Sequence, residues 1–497
     1  MQKLFAYDIL KIGCDYMKNL LYDVGDKVPF GKNVLFSIQQ VLSIIVATIL
    51  LPIIVDPSGV YLSQSAALIG AGVGTIVYLI ITRFKSPVCL GSSFGFTSAL
   101  MTALSFGYFG IFIGAIMAGF VYVVIAILIK FIGVNWINNV MPPIVIGPVV
   151  ALIGFNLAGG AISNIMNTSS SLDDYSIVSI LIGLFTFFVT IFVSVKGGKR
   201  LRFYPFLIGL CSGYIICYIL TVFGMFYNIK SLQLVDLTIF NGVNDIKNWL
   251  PNFTCVGIIE EGTSKIESFG SIITIFTAFV PIAFVSFAEH IADHKNLSSI
   301  IGRDLLKDPG LSKTILGDGI GSMIGAFLGG CPNTTYGESI GCVALSKNAS
   351  TRTIFMASIL SIIIAFFYPF ILIVKSIPSC VVGGISIALF GFISVSGLRM
   401  FKDVDLNDSK NLFVVASILI SGIGGLFLKF GAVEISNIAC ALIVGIIANA
   451  ILAPRKGKGV KISKKPDLLE GDQTLEVDDN SNGIKDDNLE NIKNKNA

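Results

Sequence analysis

Apolar runs of about 20 residues, the length a helix needs to cross a bilayer, recur along almost the whole chain. They fall near 34–55, 61–81, 88–105, 107–132, 140–158, 175–195, 203–224, 270–292, 314–330, 332–346, 353–373, 377–398, 411–428 and 434–453, which makes about fourteen candidate spans. A soluble domain carries roughly 25% charged residues. These 497 residues carry 13%, against 54% apolar. So little charge cannot cover that much apolar surface in water, and the sequence predicts an all-α polytopic membrane protein. The net charge of +4 comes with no basic face to neutralise phosphates, which argues against nucleic-acid binding.

The nine cysteines are scattered through apolar runs with no repeated spacing, so they suggest neither a disulfide framework nor a zinc pattern. The first thirty residues lack a signal-peptide layout, and no cleavage is expected. Lys and Arg in short connectors set orientation. With the N-terminus inside, inner connectors carry Arg83, Lys85, Lys196, Lys199, Arg200, Arg202, Arg303, Lys307, Lys313, Arg352, Arg399 and Lys402, whereas short outer ones offer only Lys375 and Lys429. Both ends are therefore expected in the cytoplasm, with the chain in the cell membrane.

The organisation read from these patterns is a cytoplasmic N-terminal segment (1–33), a first group of seven spans (34–224), an extracytoplasmic loop (225–269), a second group of seven (270–453) and a cytoplasmic tail (454–497). The tail opens with Arg455, Lys456 and Lys458, suited to anionic headgroups, and turns polar and acidic, a composition expected to stay disordered.

The two groups echo each other. Span 3 enters as Pro87-Val-Cys-Leu-Gly-Ser-Ser-Phe94 and span 10 as Pro332-Asn-Thr-Thr-Tyr336-Gly337-Glu338. Spans 5 and 12 share a Pro-x4-Gly spacing, Pro142 to Gly147 and Pro378 to Gly383. A unit of seven spans repeated once must insert upside down the second time. Inverted repeats with broken helices are a transporter layout. A break at membrane depth survives only where protein or a polar cavity satisfies its backbone, and each half-helix start offers N–H donors.

Three acidic positions stand out. Glu289 and Asp293 are i,i+4 near the end of span 8, and Glu338 directly follows the span-10 break. Carboxylates inside a span are expensive and usually functional. Asp293 and His294 fall at the end of the apolar run, where His294 is expected to meet water. His290 and His294, the protein's two histidines, have the spacing of a zinc-binding helix, but no third histidine exists to complete a site, so no metal is expected.

Ala288-Glu289-His290, Gly302-Arg-Asp304 through Asp308-Pro309-Gly310, and Pro332-Asn-Thr-Thr-Tyr-Gly-Glu338 together resemble the nucleobase:cation symporter-2 (nucleobase-ascorbate transporter) family, nearest to its bacterial uracil permeases. Leu90-Gly-Ser-Ser-Phe94, Pro142-Pro143 and Val404-Asp405 add to the match, which runs from about residue 30 to 453. The resemblance implies fourteen helices in two inverted seven-helix repeats, a core and a gate domain, and short strands in spans 3 and 10. It also implies substrate binding by Glu289 and Glu338, with main-chain bonds and packing from Phe94, Tyr336 and Gly337, and proton coupling through Glu289, Asp293 and Glu338. Proton-driven uracil import, no cofactor beyond H⁺, no enzymatic activity and a homodimer joined through the gate domain follow from it as well.

The chemistry is consistent with this. Carboxylates accept from the N–H groups of a flat neutral ring, half-helix N–H groups donate to its carbonyls, and charge-assisted bonds are about twice as strong as neutral ones. The chain departs from the family pattern at Asp293 (usually His in the uracil branch), at Gln40 (usually His, after Gln39), at Ser339 (usually Asn) and at Ser346 (usually Thr). Rival readings are a xanthine or urate carrier, a sodium-coupled carrier, a channel, and a membrane metal-dependent enzyme built on the histidine pair.

Overall fold

The computed structural model describes residues 20–452 except 134–141, 169–170, 199–200, 245–248, 267, 403 and 431–432. The expected tail, 454–497, lies outside the described residues, as do Lys199 and Arg200. The first half runs through α1 (Phe30–Val55), α2 (Gln64–Ile81), β1 (Leu90–Ser92), α3 (Thr97–Leu104), α4 (Gly107–Ile132), α5 (Pro143–Met166), β2 (Asn167–Thr168), β3 (Ser171–Tyr175), α6 (Ile177–Lys196) and α7 (Pro205–Phe226). A connector holding α8 (Thr254–Glu261) leads to α9 (Phe269–Ile301), α10 (Leu311–Gly329), β4 (Asn333–Thr335), α11 (Gly337–Ser346), α12 (Thr351–Ala365), α13 (Tyr368–Lys375), α14 (Ser379–Met400), α15 (Ser409–Ile423), β5 (Leu428–Phe430), β6 (Val433–Ile435) and α16 (Asn437–Ile451).

Among the described residues eight helices (α1, α2, α4, α5, α6, α7, α9 and α14) are long and apolar enough to cross a bilayer, and α12 with α13 makes a ninth if that pair, bent by 77°, is one span. The bend sits where Pro369 enters the first turn of α13, because proline cannot continue the helix before it. The stretches near 88–105 and 332–346 are each a short strand followed by a short helix. One boundary moves substantially. Helix α9 has 33 residues and runs on to Gly302, whose left-handed φ of 68° closes it. Asp293 and His294 therefore lie inside the helix, and His294 is 1% exposed rather than in water.

The sequence echoes meet in space. β1 pairs with β4, and α5 packs along α14. Helix α2 lies against α10, with α4 and α12 beside them, whereas α5 and α14 pack with α6 and α15, giving two bundles. Close approach of α2 and α10 depends on glycine. A Cβ on Gly74 would stand 2.7 Å from the Gly321 carbonyl oxygen, and one on Gly321 would stand 2.7 Å from that of Gly74. Small residues at such crossings let backbones approach where lipid supplies no hydrophobic drive.

The residues just before α1 are tied to the connector between α11 and α12. Leu21 N–H donates to the Lys347 carbonyl at 2.7 Å and Ala349 N–H to that of Tyr22 at 2.9 Å.

Candidate functional site

The two broken spans meet through their strands. Leu90 faces Thr335, Gly91 faces Thr334 and Ser92 faces Asn333 in antiparallel register. Ser93 N–H donates to the Pro332 carbonyl at 2.9 Å, and Tyr336 N–H donates to that of Cys89 at 3.2 Å. Extended backbone at membrane depth must find every partner within the protein, and neighbouring helices supply the rest. Leu90 N–H donates to Thr75 Oγ1 of α2 at 2.9 Å, Asn333 N–H donates to Ser322 Oγ of α10 at 2.8 Å, and Asn333 Nδ2 donates to the Gly70 carbonyl at 2.9 Å. Gly91 is needed because the Tyr336 ring occupies the space a Cβ would take. The Tyr336 hydroxyl then donates to the Ser92 carbonyl at 2.8 Å, locking ring to strand.

Each strand delivers a half-helix start. A short 3₁₀ turn, Phe94–Phe96, leads into α3, and α11 begins at Gly337. The first N–H groups of a helix have no partner inside it and carry its positive dipole end. Phe94 is buried, with its ring edge-on to Phe390 of α14 at 6.1 Å, so it touches the second bundle. Gly337 is exposed and Glu338 half-buried, and the Glu338 N–H bonds its own carboxylate.

Helix α9 packs against α11 and brings Glu289 and Asp293, both half-buried, to the same place. Asp293 Oδ2 accepts from Thr335 Oγ1 at 2.7 Å, and its Oδ1 lies 4.0 Å from where a Cβ on Gly337 would stand. Glu289, Asp293 and Glu338 lie within electrostatic reach of one another. The Oγ atoms of Ser93 and Ser286, buried and without a protein partner, converge on Gly95. Beside Glu338 a cavity of about 120 Å³ is bounded by Ser43, Tyr204, Phe206 and Gly341.

The structure thus gathers Glu289, Asp293, Glu338, Tyr336 and Gly337 and sets Phe94 at the opposing half-helix. The Tyr336 N–H and hydroxyl are both engaged within the protein, by the Cys89 and Ser92 carbonyls, so Tyr336 sets the strand pair and its packing, and the donors left at the site are those of Gly337 and of the two half-helix starts.

Asp318 was not among the residues the sequence singled out. It is fully buried on α10, and its Oδ2 pairs with His290 Nδ1 at 2.8 Å. The signal was available, since a carboxylate within the Gly-rich stretch 314–330 is itself an intramembrane charge. The His290 and His294 rings stack at 4.0 Å. His294 Nδ1 bonds the His290 carbonyl at 2.9 Å and its Nε2 the Tyr78 hydroxyl at 2.7 Å, so both its nitrogens are engaged by the protein. Among the described residues no group of three or more His, Cys, Asp or Glu is arranged to hold a metal ion.

Similarity to known proteins covers nearly the same extent. Residues 31–430 match the xanthine/uracil permease profile, described as "Permease family". The uracil permease of Bacillus caldolyticus is 37% identical over 443 residues, 88% of this chain and 96% of that one. The uracil permease of Escherichia coli (strain K12) is 32% identical, over 85% of this chain and 92% of that one. Among solved structures, the transmembrane domain of the cyanobacterial bicarbonate transporter BicA superposes with a TM-score of 0.56 at 14% identity, over 86% of this chain and all of that one. At that identity the likeness shows the fold alone, an inverted-repeat membrane-transporter fold. With the family profile matched over most of its length and close relatives covered almost end to end, this chain is a member of the nucleobase:cation symporter-2 family of permeases.

Proposed function

We propose that the protein is a proton-coupled symporter that imports uracil across the cytoplasmic membrane, with both termini in the cytoplasm. One observation carries the reading: acids from two different spans, Glu289 on α9 and Glu338 on α11, meet beside the starts of two half-helices. Uracil presents N–H donors and carbonyl acceptors on one flat ring. Carboxylate oxygens of Glu289 and Glu338 accept from its N–H groups, and the N–H groups of Gly337 and of the Phe94 half-helix donate to its carbonyls. Carboxyls sharing one site exchange protons as a unit. If proton and uracil both favour the same conformation, their binding is linked by reciprocal coupling. Asp293, held by Thr335, completes that proton-exchanging set.

In this reading the eight long helices are completed to fourteen spans by α10, by the two broken spans around β1 and β4, by the bent α12–α13 pair and by the shorter apolar helices α15 and α16. The bundle around α2 and α10 holds the substrate, and the one around α5 and α14 gates it. The apolar outer faces of α6 and α7, where Phe188 and Phe223 are exposed, are suited to lipid or to a second copy. The names of the relatives support uracil as cargo.

The test is labelled-uracil uptake in a cell lacking its own permease, with and without a protonophore. Accumulation abolished by the protonophore is expected. Uptake of labelled xanthine that unlabelled uracil does not block, with no uptake of labelled uracil, points to a purine cargo. An initial rate unchanged by collapse of the proton gradient points to a facilitator.

A further inference from the structure

A second polar cavity, of about 220 Å³, opens at the N-terminal end of α2, the extracellular end in the orientation proposed above. Gln64 and Ser65 of the first turn of α2, Asn252, and Lys375 at the end of α13 give it a polar wall. Trp249 and Tyr368 give it an aromatic one, with ring centroids 6.3 Å apart. Among the described residues that line it there is no carboxylate. Gln64 is 6% exposed, and its Oε1 has no hydrogen-bond partner. A buried amide oxygen left unpaired is unfavourable, so this side chain is set for a group that the protein itself does not supply.

The wall defines that group. Lys375 and the first-turn N–H groups of α2 call for an acceptor. Gln64 Oε1 calls for a donor, and the two rings offer flat faces. A simple anion would meet Lys375 but would set oxygen against Oε1. A cyclic imide meets everything: its N–H donates to Gln64 Oε1 while Gln64 Nε2 donates to one flanking carbonyl, and the second carbonyl is left for Lys375. We infer that this cavity is an external receiving site for the imide edge of a single-ring nucleobase, occupied before transfer to the Glu289–Glu338 site. The inference rests on the uracil reading and extends it to a second site.

Trp249 makes the site directly observable. The chain has two tryptophans, so Trp136→Phe leaves Trp249 as the single indole. Purified full-length Trp136→Phe protein is titrated with uracil, 1-methyluracil and 3-methyluracil while indole emission is followed. Uracil and 1-methyluracil are expected to change the emission, whereas 3-methyluracil, whose imide N–H is blocked, is not. The response is expected to survive Glu338→Gln and to vanish in Gln64→Leu. In cells, Gln64→Leu is expected to raise the KM for uptake about tenfold with the maximal rate kept, as for loss of a two-bond amide pair. Lys375→Gln, at an exposed position that does not threaten folding, is expected to weaken the response in the same direction. An emission response and KM unchanged in both variants would overturn the site, as would a response to phosphate or acetate in place of uracil. Uptake without any Trp249 response sinks the receiving site alone. A Trp249 response without uptake in the unaltered protein sinks the transport reading and leaves the site standing.

Discussion

Gln40 on α1 and Ser339 on α11 are bonded to each other twice: Ser339 Oγ donates to Gln40 Oε1 at 3.0 Å, and Gln40 Nε2 donates back to the Ser339 carbonyl at 3.4 Å. Ser339 Oγ also accepts the Cys89 N–H at 3.0 Å, just before β1. These are two of the positions read from the sequence as departures from the family pattern, and they form one contact between the first span and the tenth.

Both residues are buried, and the contact should be measurable. Ser339→Ala leaves the Cys89 N–H and Gln40 Oε1 without their partner, at an expected loss of about 1–3 kcal/mol. Thermal melts of Gln40→Ala, Ser339→Ala and the double variant should return a coupling of about 0.5–3 kcal/mol. Additive losses would mean that the two side chains do not act together.

Glu289→Gln keeps the shape of the side chain and removes its ability to carry a proton. Accumulation of uracil against a gradient is expected to disappear while the protein still inserts. Glu338→Ala removes charge-assisted bonds worth about 1.5–3 kcal/mol each and is expected to weaken equilibrium binding of labelled uracil about 10- to 100-fold. Near-normal accumulation by Glu289→Gln would remove that residue from the mechanism.

The His290–Asp318 pair makes a different prediction. Both side chains are inaccessible to solvent and 2.8 Å apart. Leaving one buried partner of such a hydrogen bond unsatisfied typically costs about 1–3 kcal/mol, whereas replacing both by apolar groups of similar shape is often tolerated. His290→Phe or Asp318→Leu alone is therefore expected to lower the melting temperature sharply, and the double variant to recover much of the loss. Failure of the double variant to recover would make the pair's polarity itself essential.

Periodicity and composition made the long helices legible, because a bilayer leaves few alternatives to about twenty apolar residues in a row. The breaks at Pro87 and Pro332 were legible for the same reason, since polar residues after a proline are costly in lipid. The short strands β1 and β4 were expected only through family resemblance, and their pairing with each other was not legible; three-residue strands carry no pattern of their own. The end of α9 was misread because hydropathy marks where lipid contact stops, not where a helix stops. His294, Tyr78 and Ser86 continue the packed interior beyond the apolar run. Asp318 was overlooked because a lone acid among glycines reads as a weak span, and only its approach to His290, 28 positions away, reveals a buried pair.

Outside the membrane, Lys85 joins the connector between α2 and β1 to the one between α9 and α10. Its Nζ donates to both Asp308 oxygens, at 2.7 and 2.8 Å. That hydrogen bonding holds the Asp308 carboxyl below its usual range, with help from the nearby charges of Lys85, Lys313 and Arg303. A carboxyl depressed in the folded protein contributes stability above its ordinary pKa of about 4 and loses it as pH falls through the folded value. Both side chains are largely exposed, at 47% and 69%, so salt screens the pair. Lys85→Met should therefore lower the melting temperature slightly near neutral pH in dilute buffer and make little difference in high salt or in acid strong enough to protonate Asp308. Because Lys85 lies two residues before Pro87, its loss also loosens the segment leading into β1. A larger effect of Lys85→Met on uracil KM than on melting would show that the ion pair acts by positioning the strand, whereas a change in melting alone would confine it to stability.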